Sequence, residues 1–164
     1  LRPEDVDCIV FWTKNAAPML PHLAELRAKY PFYFQFTITP YGHDVEPGLH
    51  DKREVIRTFQ QMSKQLGKTR MVWRYDPILL NDRYTIERHL HDFAAMLEML
   101  APYTDRCVIS FLDLYRKTER NTKPLALRPL GIPEMNALAE GFARLAKGSG
   151  VTLQSCSEAI DLAA

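Results

Sequence analysis

Five short apolar segments alternate along the chain with longer stretches whose apolar residues recur every three or four positions. The short segments occupy residues 7–13, 32–39, 70–75, 107–112 and 151–155, and they are rich in β-branched and aromatic residues. The first and fourth are almost continuously apolar, which is typical of strands covered on both faces. The pattern predicts five β-strands, of which the last has the weakest pattern.

The stretches between the strands predict four amphipathic helices. Their apolar stripes consist of Met19, Leu20, Leu23 and Leu26; of Val55, Ile56, Phe59, Met62 and Leu66; of Ile86, Leu90, Phe93, Leu97 and Leu100; and of Leu138, Phe142 and Leu145. Asp51 and Thr85 are suitable N-caps for the second and third helices, and Gly67 is a suitable end for the second.

The repetition of strand and helix predicts an α/β fold with right-handed crossovers and parallel strands. Five strands are too few for a closed TIM-type barrel, which has eight strands and about 250 residues. Two architectures remain: a partial barrel, or an open doubly wound sheet. We favour the partial barrel, because no glycine-rich phosphate loop follows the first strand. By length, residues 1–164 form a single α/β domain.

Composition narrows the class of protein further. Lys plus Arg number 21 and Asp plus Glu number 20, so the net charge of +1 gives no general attraction to nucleic acid or membranes. No apolar run approaches the roughly 20 residues that span a bilayer. Three cysteines without a visible secretion signal indicate reduced thiols and a cytoplasmic protein. Because the chain starts with leucine instead of methionine, we expect a fragment of a longer protein.

Candidate site residues follow from the rule that parallel α/β folds bind substrates at the carboxyl ends of their strands. The polar residues that we expect to bind cofactor or substrate there are Lys14, Asn15, Thr37, Thr39, Arg74 and Ser110. Two carboxylates at the same ends, Asp76 and Asp113, are the candidate catalytic residues. The histidines and cysteines are not spaced as a metal motif, so no metal ligand is predicted.

Several of these residues also have a structural interpretation. Arg74 and Asp76 lie two positions apart and therefore project from the same side of a strand. They either pair with each other, or Arg74 holds an anionic group of a ligand. Lys14 either snorkels at the rim of the sheet or binds an anion. Asp113 either clamps a loop by pairing with Arg116 or acts in catalysis.

The loop after the second strand is rich in polar residues. It contains His43, Asp44, Glu46 and His50. A metal site is one interpretation of this loop, but a solvated loop is the simpler one and the one we favour. Just before it, Thr37 and Thr39 either pack as ordinary strand residues or line the pocket.

Four motifs, taken in order, make the sequence similar to a known family. They are VDCIVFWTKN at residues 6–15, YFQFTITPYG at 33–42, VWRYDP at 72–77 and SFLDLY at 110–115. Over essentially the whole chain they resemble the bacterial family known as domain of unknown function 1848. Members of that family look like radical S-adenosylmethionine proteins, with some similarity to spore photoproduct lyase.

The resemblance implies a [4Fe–4S] cluster and S-adenosylmethionine as cofactors. In the family, a Cys-x3-Cys-x2-Cys motif in the C-terminal part would hold the cluster. Cys8, Cys107 and Cys156 do not match that motif. We therefore expect no cofactor within this fragment, which resembles the central part of the barrel without the family's N-terminal strand and cysteine motif.

Three hypotheses about function follow. The first is the barrel core of a radical S-adenosylmethionine enzyme that acts on a small molecule or a nucleic-acid-derived substrate, with no membrane partner. The second is a cluster-independent hydrolase or lyase with Asp76 or Asp113 as general base. The third is a nucleic-acid-binding module that uses the basic residues Lys117, Arg120, Lys123 and Arg128.

Overall fold

The computed structural model describes residues 2–49, 51–112 and 122–156. Its strands are β1 (Ile9–Thr13), β2 (Phe32–Thr37), β3 (Met71–Ile78), β4 (Arg106–Phe111) and β5 (Thr152–Ser155), and they form one sheet. Every neighbouring pair is parallel, and the spatial order β1-β2-β3-β4-β5 is also the order along the chain. The predicted α/β fold with five parallel strands is therefore confirmed.

Four helices connect these strands, namely α1 (Leu23–Lys29), α2 (Lys52–Leu66), α3 (Ile86–Leu100) and α4 (Ile132–Ala146). The predicted caps are present: the side chain of Asp51 accepts the N–H of Arg53 at 2.8 Å, and that of Thr85 accepts the N–H of Arg88 at 3.2 Å. Gly67 ends α2 with a φ of 88°, which glycine adopts without steric strain. Within the described ranges, no helix is both long enough and apolar enough to cross a bilayer.

The order of the strands decides between the two predicted architectures. A doubly wound sheet reverses its strand order at a switch point and carries helices on both faces. The order of these five strands never reverses. The helices pack on one side of the sheet, where Phe59 of α2 meets Phe36 and Phe93 of α3 meets Trp73. Over the described residues the sheet does not close, so it is an arc of the partial-barrel type.

Aromatic side chains fill the layer between the sheet and the helices. Phe93 of α3 is stacked between Trp73 of β3 and Phe142 of α4, with ring centroids 4.9 and 4.2 Å away. All three rings are fully buried. The prediction for Leu145 was wrong: it was expected to pack inward beside Phe142, but it is exposed, and at the last turn of α4 the buried residue is Ala146.

The side of the sheet opposite the helices is the open face. It carries Trp12 of β1, Gln35 of β2 and Arg74 of β3, and the Arg74 guanidinium lies 4.1 Å from the centre of the Trp12 ring. Trp12 is 62% exposed. In a barrel this face lines the interior, so polar groups at the carboxyl ends of its strands point toward the rim where substrates bind.

Two strand ends differ from the prediction. The pattern ended the third strand at Tyr75, whereas β3 continues through Pro77 to Ile78. Its pairing with β4 shifts register between Tyr75 and Ile78, and this is where the ladder passes a proline that has no N–H to donate. Conversely, β2 ends at Thr37, so Thr39 lies beyond the strand.

Candidate functional site

The carboxyl ends of the parallel strands lie at one edge of the sheet, as the sequence predicted. The candidate residues at or after these ends are Lys14, Asn15, Thr37, Thr39, Arg74, Asp76 and Ser110. Asp113, the second candidate catalytic residue, lies outside the described residues, as does its suggested partner Arg116. The described candidates do not form one group: most of their polar contacts fall into two clusters, one around Arg74 and one around Glu46.

The Arg74 cluster lies on the open face. Both Nε and Nη2 of Arg74 donate to Oδ2 of Asp76, at 3.0 and 2.7 Å, and Nη1 donates to the side-chain oxygen of Gln35 at 2.7 Å. The Trp12 ring covers the guanidinium, whose side chain is only 4% exposed. The structure thus shows the pair that was one of the two interpretations of Arg74 and Asp76. Each of the three nitrogens of the Arg74 guanidinium therefore already donates a hydrogen bond within the protein.

Within the described residues, Arg74 occupies only one of the two oxygens of Asp76. Oδ2 receives both bonds from Arg74, whereas Oδ1 accepts no hydrogen bond from the residues that the structure describes. The Asp76 side chain is 16% exposed. A carboxylate held by a guanidinium at one oxygen can still accept a proton at the other.

The Glu46 cluster joins three segments of the chain. Oε1 of Glu46 accepts hydrogen bonds from Nζ of Lys14 and from the hydroxyl of Thr39, which is 2.9 Å away. Oε2 accepts from Nζ of Lys52, the first residue of α2, at 2.7 Å. The Glu46 side chain is 7% exposed. One buried carboxylate therefore connects the end of β1, the loop after β2 and the start of α2.

Two lysines keep Glu46 ionised in spite of its burial. Burial raises the pKa of this carboxyl, but the hydrogen bonds and charges of Lys14 and Lys52 outweigh it, and the net pKa lies below its ordinary value. For Glu46 the prediction of a solvated loop was wrong. Lys14 is 32 positions away in the sequence, and such a non-local pair leaves no mark on the local pattern.

Two cavities flank Glu46 at this edge of the sheet. The larger, of about 390 Å³, is lined by Lys14, Tyr41, Asp44, Val45, Glu46, Pro47, Pro77, Leu79, Leu112, Thr122, Pro124 and Leu125. The second, of about 360 Å³, is lined by Tyr41, Gly42, His43, Glu46, Leu49, Asp51 and Lys52. The lining of the larger cavity comes from the ends of β1, β2, β3 and β4, and such convergence is typical of binding sites in parallel α/β folds.

The described residues between β4 and α4 contribute Leu112, Thr122, Pro124 and Leu125 to the lining of the larger cavity. The described part of this segment is fixed to the chain after β3: the backbone N–H of Arg128 donates to Leu80 at 2.8 Å, and the side-chain amide of Asn81 donates to Leu125 at 3.0 Å. Arg128 also pairs with Glu134 of α4. Of the four basic residues behind the nucleic-acid hypothesis, Arg128 is thus engaged, and Lys117 and Arg120 lie outside the described residues.

The hydroxyls of Tyr41 and Tyr84 join chain segments that line the larger cavity. The hydroxyl of Tyr41 donates to the carbonyl of Pro77 at 2.7 Å and accepts the N–H of Leu79 at 3.0 Å. Burial raises the pKa of Tyr41, so it stays neutral and acts as a structural bridge. The hydroxyl of Tyr84 donates to Asp44 at 3.0 Å.

Apart from Arg74 and Asp76, which form the cluster on the open face, three candidate residues lie away from the larger cavity. Thr37 is buried at the end of β2, and Ser110 is half-buried in β4. The side-chain oxygen of Asn15 accepts the N–H of Ala17 at 3.0 Å and so supports the turn before α1. In this structure the cavity-facing candidate is Lys14, with Thr39 joined to it through Glu46.

The cysteines do not fit an iron–sulfur cluster, which needs thiolates that reach one centre. Cys8 precedes β1 and is exposed, whereas Cys156 follows β5 at the opposite end of the sheet. Measured along the sheet, four strand spacings separate these two strands by roughly 19 Å. Cys107 is buried within β4, where burial raises the pKa of its thiol. No three metal-binding side chains converge within residues 2–49, 51–112 and 122–156.

A buried histidine fixes the segment that follows β3. Nε2 of His89 lies 2.8 Å from the carbonyl of Leu79, which can only accept, so Nε2 carries the proton. Nδ1 then accepts the hydroxyl of Tyr75 at 2.7 Å. Burial lowers the pKa of His89, so the ring is neutral near pH 7. His89 thereby ties α3 to β3 and to Leu79, a wall of the larger cavity.

A sequence model of the family described as "Domain of unknown function (DUF1848)" matches residues 1–164, which is the whole chain. No curated protein matches the chain, and no solved structure does either. The family's description names no activity.

Proposed function

Since the chain belongs to the family of domain of unknown function 1848, we propose that it is the barrel core of an enzyme and holds a small molecule at the carboxyl ends of its strands. One observation carries the proposal: residues from the ends of four strands line the larger cavity. Loops from several strands meet at this edge in parallel α/β enzymes, and their substrates bind there. A volume of about 390 Å³ lies within the range of small-molecule sites.

For the reaction we propose radical S-adenosylmethionine chemistry, and its support is the resemblance of the four sequence motifs. The described cysteines do not assemble a cluster site, because Cys8 and Cys156 lie at opposite ends of the sheet. The role proposed for this chain is therefore to bind and orient the substrate and to keep water from it.

A cluster-independent hydrolase or lyase is the second candidate, and the second carboxylate oxygen of Asp76 favours it. Oδ2 of Asp76 is held by Arg74, and Oδ1 accepts no hydrogen bond from the part of the chain that the structure describes. In that geometry Asp76 acts as the general base and Arg74 keeps its carboxylate in place.

A fragment screen by NMR tests ligand binding. We expect small molecules that bind to shift the backbone amides of residues that line the larger cavity, namely Tyr41, Asp44, Val45, Glu46, Leu79 and Leu112. Val45→Trp fills this cavity and should abolish the shifts. Val10→Trp, on the exposed side of β1, is the matched control and should not. Shifts confined to the amino ends of the strands, or binding that survives Val45→Trp, would contradict the proposal.

Anaerobic reconstitution tests the reaction class. The complete gene product, supplied with iron and sulfide, is expected to show charge-transfer absorption and to cleave S-adenosylmethionine. If neither appears, radical chemistry is excluded for this protein and the hydrolase or lyase becomes the leading candidate. The NMR result is independent of this outcome, because it detects binding without turnover.

A further inference from the structure

We propose that the larger cavity takes a ligand with an apolar body and an anionic head, a carboxylate or a phosphate, and that the head binds Lys14. The inference rests on the proposed function, because it names the ligand class for the same cavity. It is carried by an imbalance among the polar groups at the cavity: both oxygens of each acidic side chain already accept protein donors, while Nζ of Lys14 has a single partner among the described residues.

Glu46 has little acceptor capacity to offer a ligand, because protein donors occupy three of the about four acceptor positions of its carboxylate. Its Oε1 accepts from Lys14 and Thr39, and its Oε2 accepts from Lys52. The side chain is also almost entirely buried. A cationic ligand would have to displace a lysine from a buried carboxylate, which is costly because the displaced ion pair is partly desolvated.

Asp44, the other acid of the cavity lining, is similarly engaged. Its Oδ1 accepts the hydroxyl of Tyr84 at 3.0 Å, and its Oδ2 accepts from Arg83 at 3.1 Å. Tyr41 also has both hydroxyl functions in use, as donor to Pro77 and acceptor from Leu79. Neither residue therefore provides a ready partner for a donor group on the ligand.

Lys14 is the group with spare donors. An ammonium has three N–H groups, and among the described residues Nζ of Lys14 has a single partner, Glu46. Its side chain is 43% exposed and lines the larger cavity, whereas Lys52 lines the second one. The two remaining N–H groups call for acceptor oxygens, and oxyanions are the strongest such acceptors. Glu46 is the positioning residue, since it fixes the ammonium at the cavity wall.

The rest of the lining is largely apolar. Its apolar members are Val45, Pro47, Pro77, Leu79, Leu112, Pro124 and Leu125. Small-molecule sites usually combine such walls with a few fixed polar groups that orient the ligand. A ligand with an apolar body and a charged end would pack its body against these walls and place its charge at Lys14.

Binding of simple aromatic probes tests the ligand class. The probes are benzoate and phenyl phosphate, which separate the two kinds of anionic head, and benzyl alcohol, a neutral compound of similar shape. Affinity is measured by NMR titration, following the amides around the cavity. We expect at least one anion to bind more tightly than benzyl alcohol, and Lys14→Gln to weaken its binding by about tenfold or more.

Two further variants control this experiment. Lys14→Arg keeps the charge and should retain most of the affinity, which separates loss of the cation from disturbance of the fold. Lys29→Gln removes a lysine from an exposed pair with Glu25 on α1 and should change nothing. If benzyl alcohol binds as tightly as the anions, or if Lys14→Gln does not change the affinity for the anions, the proposed ligand class is wrong. The proposal that the cavity binds a small molecule would still stand. If no probe and no screened fragment shifts the cavity amides, the proposed function itself fails.

Discussion

Replacing Asp76 with asparagine is expected to lower the free energy of unfolding by about 2–3 kcal/mol, because it leaves the buried Arg74 guanidinium without its counter-charge. Asparagine keeps one acceptor oxygen, which places the loss at the lower end of the range for broken buried pairs. For a domain of this size the melting temperature should fall by roughly 5–10 °C. Thermal and urea unfolding measure the effect directly.

The same variant also tests both roles of Asp76, as an ion-pair partner and as a general base. Glu25→Gln, which breaks an exposed pair with Lys29, is the control and should cost less than about 0.5 kcal/mol. A large loss for Asp76→Asn supports the carboxylate as a structural partner of Arg74, and an unchanged melting temperature would contradict that role. Activity of the same variant tests Asp76 as a general base, because the pair with Arg74 adds stability whether or not the carboxylate also takes a proton.

Removal of the His89 ring should destabilise the protein even more. In His89→Ala, the hydroxyl of Tyr75 and the carbonyl of Leu79 lose their partners inside the protein. Each unsatisfied buried group costs about 1–3 kcal/mol, and the space left by the ring adds to this, so we expect a total of about 4 kcal/mol. His91→Ala, two residues along α3 and 78% exposed, is the matched control and should have little effect.

The effect of His89→Ala should depend on pH. The pKa of His89 is lowered in the fold, so below about pH 6.5 the unfolded chain takes up a proton that the folded chain does not. The stability that His89 contributes is therefore complete above that pH and declines as the pH falls. Urea unfolding of both proteins should show a larger difference at pH 8 than at pH 5, and an equal difference would mean that His89 is not held neutral.

Local sequence patterns were sufficient for most of the fold. The caps at Asp51 and Thr85 and the end at Gly67 follow from the chemistry of single turns, and the structure confirms them. The register of β3 past Pro77 was missed, because it depends on how β4 pairs with it. The exposure of Leu145 was missed as well, since periodicity alone does not show where a helix leaves its sheet.

The candidate site was less accessible to sequence reasoning. Strand direction placed Lys14, Arg74 and Asp76 at the correct edge, because that rule depends only on topology. The hydrogen-bond and ion-pair partners of these residues were harder to predict from the sequence. The pattern predicts a solvated loop for Glu46, yet it lies buried between two lysines, one directly after β1 and one at the start of α2. Charged side chains in a loop have no periodicity from which burial can be inferred.

One of the two tryptophans is buried and the other is exposed, so tryptophan fluorescence can report on the Arg74 cluster. Trp73 is sealed in the core with its indole N–H bonded to the carbonyl of Ile38, whereas Trp12 lies largely in solvent against Arg74. A water-soluble quencher such as iodide therefore reaches the fluorescence of Trp12 and leaves that of Trp73 untouched. Any molecule that settles on the open face would shield Trp12, and the native chain would report it without an attached dye.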